Sequence, residues 1–148
     1  MNRFRIPALL IALLATPAMA GDGLDAFLSR VNIQARADLN GFSAQVSAQF
    51  GVPEAQVRVV LGRVSEPADA FMVFQLGQMS RQPTDTVLRV YQSGKSRGWG
   101  ALAQELGIKP GSAEFHALKR GDLHFGAGRD NPSDSGKGKG KGKGHGKH

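Results

Sequence analysis

Few residues in this 148-residue chain have the types and spacing that chemistry requires. There is no cysteine, which excludes disulfides, thiolate metal sites and a cysteine nucleophile. The four histidines are His116, His124, His145 and His148. Glu114 and His116 stand two apart, so on a helix they face different ways and form a poor ligand or acid–base pair. His124 lies beyond Gly121, and pairing with His116 would need a turn back. His145 and His148, three apart, could hold a borderline ion such as Cu(II) or Ni(II) with backbone groups, but only as a weak site. Glu105 and Glu114 are available as carboxylates for glycoside hydrolysis, yet nothing around them selects them. No Gly-x-Ser-x-Gly elbow, His-Glu-x-x-His pair or phosphate loop is present. Gly94-Lys95-Ser96 matches only the end of a phosphate loop, without the earlier glycine or a preceding strand. These patterns imply no cofactor and weigh against an enzyme.

The most concentrated chemical feature is a run of cations. Lys137, Lys139, Lys141, Lys143 and Lys147 alternate with glycine and end among His145 and His148. Residues 126–148 carry six Lys/Arg and two Asp, net +4, whereas residues 21–125 carry eleven against ten, net +1. The basic character therefore belongs to the tail. Closely spaced lysines bind anionic polymers by releasing counterions, so such binding is salt-dependent and without sequence preference. The segment has almost nothing apolar to offset the entropy of ordering and is expected to be disordered. The bland reading is a solubilising tail with no partner.

The other end carries an address. Arg3 and Arg5 precede an apolar run from Ile6 to Ala15, and Ala18-Met-Ala20 gives a small-x-small end. This is the pattern of a secretory signal peptide cleaved after Ala20, which implies a periplasmic or secreted protein. The run is too short for a stable span of the roughly 30 Å hydrocarbon core, and no later run is longer, so no transmembrane segment is expected.

Between these ends, residues 21–125 must supply whatever fold positions the candidate groups. The alternation Val31 to Ala37 is the one stretch that could be extended; it reads as a helix continuation or connector. Apolar residues otherwise recur at three- and four-residue spacing. The stripes are Leu24-Phe27-Leu28-Val31, Leu39-Phe42-Val46-Phe50, Val57-Val60-Leu61-Val64 and Ala68-Phe71-Met72-Leu76-Met79. Val73 and Phe74 widen the fourth, which makes that helix central. Val87-Leu88-Tyr91, Trp99-Leu102-Ala103-Leu106 and Phe115-Leu118 follow. Gly51, Gly62, Gly94, Gly107 and Gly121 each close a stripe, where a left-handed residue ends a helix. Pro53 suits a first turn, and Ser65, Thr84 and Ser112 suit N-caps. The expected fold is all-α: a compact bundle of six or seven short helices.

Within it, the predicted helices Thr86–Ser93, Trp99–Leu106 and the one from Ser112 have the spacing of a helix-turn-helix, with Ala103 as the small residue and Gly107 as the turn glycine. In a DNA-binding version Lys109, Lys119 and Arg120 would lie near phosphates. A three-helix packing unit needs the same small residue and glycine, and the export signal argues against sequence-specific nucleic-acid reading. Trp99, between Gly98 and Gly100, is either a platform for a ligand such as a sugar or a core ring. Its stripe with Leu102 and Leu106, closed by Gly107, favours a structural role.

Gly98-Trp99-Gly100, Leu106-Gly107-Ile108-Lys109-Pro110-Gly111-Ser112 and Glu114-Phe115-His116-Ala117-Leu118-Lys119 together resemble a family of small exported bacterial proteins without an assigned activity. The similarity reaches back through Pro67 to Phe71 and Leu76 to Met79 and stops before the Gly-Lys tail. The resemblance implies export and a helical fold, and no residue roles. The expectation is thus an exported, non-enzymatic protein whose tail contacts anionic envelope polymers, or one that binds an envelope protein. The alternatives are a periplasmic metal-binding or metal-stress protein using the histidines, and an envelope enzyme acting on cell-wall sugars.

Overall fold

The computed structural model describes residues 22–126, and among them the fold is all-α, with no strand. The helices are α1 (Asp22–Ala37), α2 (Leu39–Phe50), α3 (Glu54–Leu61), α4 (Pro67–Ser80), α5 (Thr84–Gly94), α6 (Trp99–Glu105) and α7 (Ala113–Arg120). A 3₁₀ turn, Lys95–Arg97, links α5 to α6.

Helix α4 is the centre because its sequence is apolar nearly all round. Ala68, Ala70, Phe71, Met72, Val73, Phe74 and Leu76 are all buried, and a helix with no polar face can be stable only when covered on every side. Helices α1, α2, α3 and α5 provide the cover. Phe71 is sealed from solvent and touches three other rings, Phe27 at 5.4 Å, Phe50 at 5.5 Å and Phe125 at 5.6 Å between centroids. Phe74 stacks on Phe50, and Phe42 meets Phe125. The core therefore contains a phenylalanine cluster centred on Phe71, to which the segment after α7 contributes Phe125.

Helix α1 continues through the ambiguous Val31–Ala37 stretch. Val31 and Ala35, four apart, are buried, while Ile33 is 67% exposed. The alternation was therefore a helix whose outward positions include one apolar residue. Leu39 also departs from its stripe: it is the first residue of α2 and is exposed, and Phe42, Ser43 and Val46 make the buried face. Buried Ser43 is satisfied by donating to the Leu39 carbonyl at 3.0 Å. Val64 lies beyond the end of α3.

Four helix ends close with the same bond, from an amide back to the carbonyl five residues earlier. They are Val52 to Ser47, Gln82 to Gly77, Ile108 to Ala103 and Asp122 to Ala117. Gly51, Gly107 and Gly121 supply the left-handed residue at three of them. The fourth is Arg81, at φ 56°, which no glycine signal marks. Gly62 (φ −72°) and Gly94 (φ −133°) are not left-handed, which corrects their reading as left-handed helix ends. Gly62 ends α3 in a right-handed turn, and Gly94 leads directly into the 3₁₀ turn.

The starts are corrected too. Pro67 occupies the first turn of α4, which makes Glu66, not Ser65, its N-cap. Pro53 and Pro83 are N-caps, and Thr84 is already helical. Ser112 does cap α7, accepting the Phe115 amide at 3.2 Å. At Gly121 φ is 69°, and a Cβ there would also run into the carbonyl oxygen of Gly23. The start of α1 and the end of α7 thus touch backbone to backbone, which closes the bundle.

Candidate functional site

Where α4, α5 and α6 meet, the apolar core gives way to polar and aromatic side chains around a cleft of about 300 Å³. Its lining includes Ser65, Asp69, Tyr91, Lys95, Ser96 and Trp99. Each arrives by a local rule. Asp69 is the third residue of α4, where its carboxylate accepts the Glu66 amide at 3.1 Å. Tyr91 lies on the buried stripe of α5, and Lys95 follows four residues later in the 3₁₀ turn. Trp99 opens α6 immediately after Gly98.

Gly98 sets the direction of Trp99. Its backbone sits at φ 85°, ψ 161°, a region only glycine occupies readily, although a Cβ there would meet no atom. The constraint is conformational, not one of space. The ion pair of Arg97 with Glu105 braces the turn from outside.

Tyr91 is the hub. Its ring is buried and stacks on half-buried Trp99, with centroids 5.5 Å apart and planes 20° apart. Its hydroxyl donates to Asp69 Oδ2 at 2.8 Å and accepts the Ser65 amide at 3.1 Å. Burial pushes the phenol above its ordinary pKa; the hydrogen bonds with Ser65 oppose this and the neighbouring Asp69 carboxylate adds to it. Lys95 Nζ donates to Ser65 Oγ at 3.0 Å and forms no ion pair among the described residues. Asp69 Oδ1 accepts no hydrogen bond there and is not sealed from solvent. The cleft therefore holds one ammonium with donors to spare, one carboxylate oxygen open to a donor, rim hydroxyls and an indole backed by a phenol.

The structure distributes the residues singled out from sequence unevenly. Leu102 and Leu106 are buried and Gly107 forms the left-handed end of α6 at φ 91°. Trp99 is packed against the core and also lines the cleft. Ala103 is buried at the contact of α6 with its neighbours. Glu105 is engaged by Arg97, and Glu114 and His116 are exposed on α7. His124 is exposed, and its carbonyl accepts from Gln49 Nε2 at 2.7 Å. No group of three or more histidines and carboxylates gathers at metal-ligand distance among the described residues. No described helix is long and apolar enough to cross a membrane. Lys137, Lys139, Lys141, Lys143, His145, Lys147 and His148 lie outside the described residues.

Sequence reasoning did not assemble the cleft. It placed Tyr91 on an apolar stripe, Ser65 at a cap and Lys95-Ser96 in a rejected phosphate loop. The available signal was spacing: Tyr91, Lys95 and Trp99 recur every four residues. That spacing could not show that the start of α4 supplies the opposite wall.

The chain matches no protein-family model, no curated protein and no solved structure.

Proposed function

We propose that the chain is an exported, non-enzymatic interaction protein whose basic tail binds anionic polymers of the bacterial envelope. The observation that carries this reading is the segregation of charge, net +4 in residues 126–148 against +1 in residues 21–125. Lys137, Lys139, Lys141, Lys143 and Lys147 are the contacts. The way the body ends supports the arrangement. Phe125 is packed between Phe42 and Phe71, and the Gly126 amide donates to Gln49 Oε1 at 3.2 Å. The last described residues are thus held on α2 at the point from which the tail departs. We read this activity as periplasmic or extracellular, a reading supported by the signal-peptide pattern of residues 1–20.

The test is binding of heparin or lipopolysaccharide by the mature protein, by a form lacking residues 133–148, and by a form with the five tail lysines changed to glutamine. Binding should be lost in both altered forms. For the intact protein, log Kd should change with log salt with a slope of at most about four or five, the number of lysines engaged. Equal binding by intact and shortened proteins at low salt would refute the adhesive role. Loss on replacing His145 and His148 while the glutamine form still binds would transfer the tail to metal chemistry.

A further inference from the structure

We infer that the cleft between α4, α5 and α6 is a saccharide site. It would take one pyranose ring with equatorial hydroxyls, its flat C–H face on Trp99. This site is separate from the tail and does not depend on the reading of the tail.

The cleft and a pyranose ring are complementary. A pyranose with equatorial hydroxyls is apolar on its faces and polar round its rim. A partner needs an aromatic plate and, at its edge, donors and acceptors of both kinds. Trp99 is that plate: half-buried, backed by Tyr91 and held by a turn that only Gly98 accommodates. The edge groups are Lys95 as donor, Asp69 Oδ1 as acceptor, and the Ser65 and Ser96 hydroxyls, which can be either. The two charges in the cleft cancel, one ammonium against one carboxylate, so it selects a polyol over a strong anion or cation. Its volume, about 300 Å³, lies at the small end of the roughly 300–1,000 Å³ typical of ligand pockets, as suits a single ring.

The Asp69 carboxylate is also fixed before a ligand arrives. Asp69 is held by the Glu66 amide and the Tyr91 hydroxyl, and Lys95 by Ser65. Asp69 therefore loses little further freedom on binding, which favours recognition of a small ligand with few contacts. The common alternative for such residues, a set of structural hydrogen bonds, accounts for Asp69 Oδ2 and Tyr91.

Trp99 is the sole tryptophan, so its emission reports on this cleft alone. The full-length protein should be titrated with cellotriose and with the β-1,4-linked trisaccharide of N-acetylglucosamine, with glycerol at matched hydroxyl concentration as control. A saturable change in emission with at least one trisaccharide, weakened about tenfold in Lys95→Gln, is the expected result, since hydrogen bonds to charged groups contribute that much. The response should be insensitive to salt and should persist when the five tail lysines are glutamine. Saturation-transfer NMR should label the ring C–H protons of the bound sugar. Lys95 is exposed, so the variant's thermal unfolding should match that of the wild type. No saturable response to either trisaccharide would overturn the inference, as would one unchanged in Lys95→Gln or one lost with the tail lysines. The last outcome would assign sugar binding to the tail, while failure of the tail's polyanion binding alone would leave the cleft untouched.

Discussion

The phenylalanine core around α4 and the cleft at the start of α6 use aromatic rings in opposite ways. In the core, Phe27, Phe42, Phe50, Phe71, Phe74 and Phe125 pack ring against ring with no polar atom among their side chains. In the cleft, Tyr91 and Trp99 stack as well, but the phenol is tied to Asp69 and Ser65 and the indole reaches the surface. Pure hydrocarbon rings gain only from burial, so they collect in and against the core, four of these six buried and Phe50 and Phe125 partly so. Rings with a polar handle can sit at the boundary, where one side is dry and the other meets a ligand. The same aromatic chemistry thus fills the interior in one region and lines a polar cleft in the other.

That contrast can be broken most directly at Phe71. Phe71→Ala should cost about 3–5 kcal/mol in urea denaturation, because the ring is fully buried and touches three others. A cost below about 1 kcal/mol would mean that the cluster does not carry the fold. Trp99→Ala should cost less, about 2 kcal/mol, because a half-buried ring leaves a smaller gap than the 3–5 kcal/mol of a core aromatic. If the two substitutions cost the same, Trp99 is simply core and the distinction fails.

Gly98→Ala sharpens the comparison further. It should cost about 1–2 kcal/mol through backbone strain alone, since the added methyl has free space, and it should alter Trp99 emission. An unchanged spectrum and stability would show that the turn does not hold the indole. Arg81→Gly should act the other way and raise stability by about 0.5–1 kcal/mol, measured as a higher urea midpoint at constant m. It removes the left-handed strain of a residue with a Cβ, less the added freedom of glycine in the unfolded chain.

The smallest effect should come from the Tyr91 phenol. Its pKa is raised on folding, chiefly by burial, so the neutral form is the one the fold favours. The stability this contributes is fully present below the unfolded tyrosine value near pH 10 and is lost as pH rises through the higher folded value. The stability gap between wild type and Tyr91→Phe should therefore be flat from about pH 7 to 9 and narrow above about pH 10. A gap that changes near neutral pH would point to another titrating group.

The amphipathic stripes made the helices legible, and for α4 they showed more than its existence. A helix apolar on every face can lie only in the middle, and that is where α4 lies. Ser112 and three of the five closing glycines were also readable, because caps are local: the residue and the atoms it satisfies are within a turn of each other. The misreadings were local rules in competition. Pro67 moved a cap by one residue, and Arg81 took a left-handed position without a glycine to announce it.

By itself the sequence determined the helical class, the central place of α4 and the separation of a nearly neutral body from a basic end. These depend on the order and spacing of neighbouring residues, which any fold of the chain must respect. Only the tertiary structure decided that Asp69 and Ser65 face Tyr91, Lys95 and Trp99. More than twenty residues separate Tyr91 from Asp69, and the hydrogen bond between them exists because α4 and α5 pack side by side. A contact of that kind follows from how the buried faces fit together, and no local pattern encodes it.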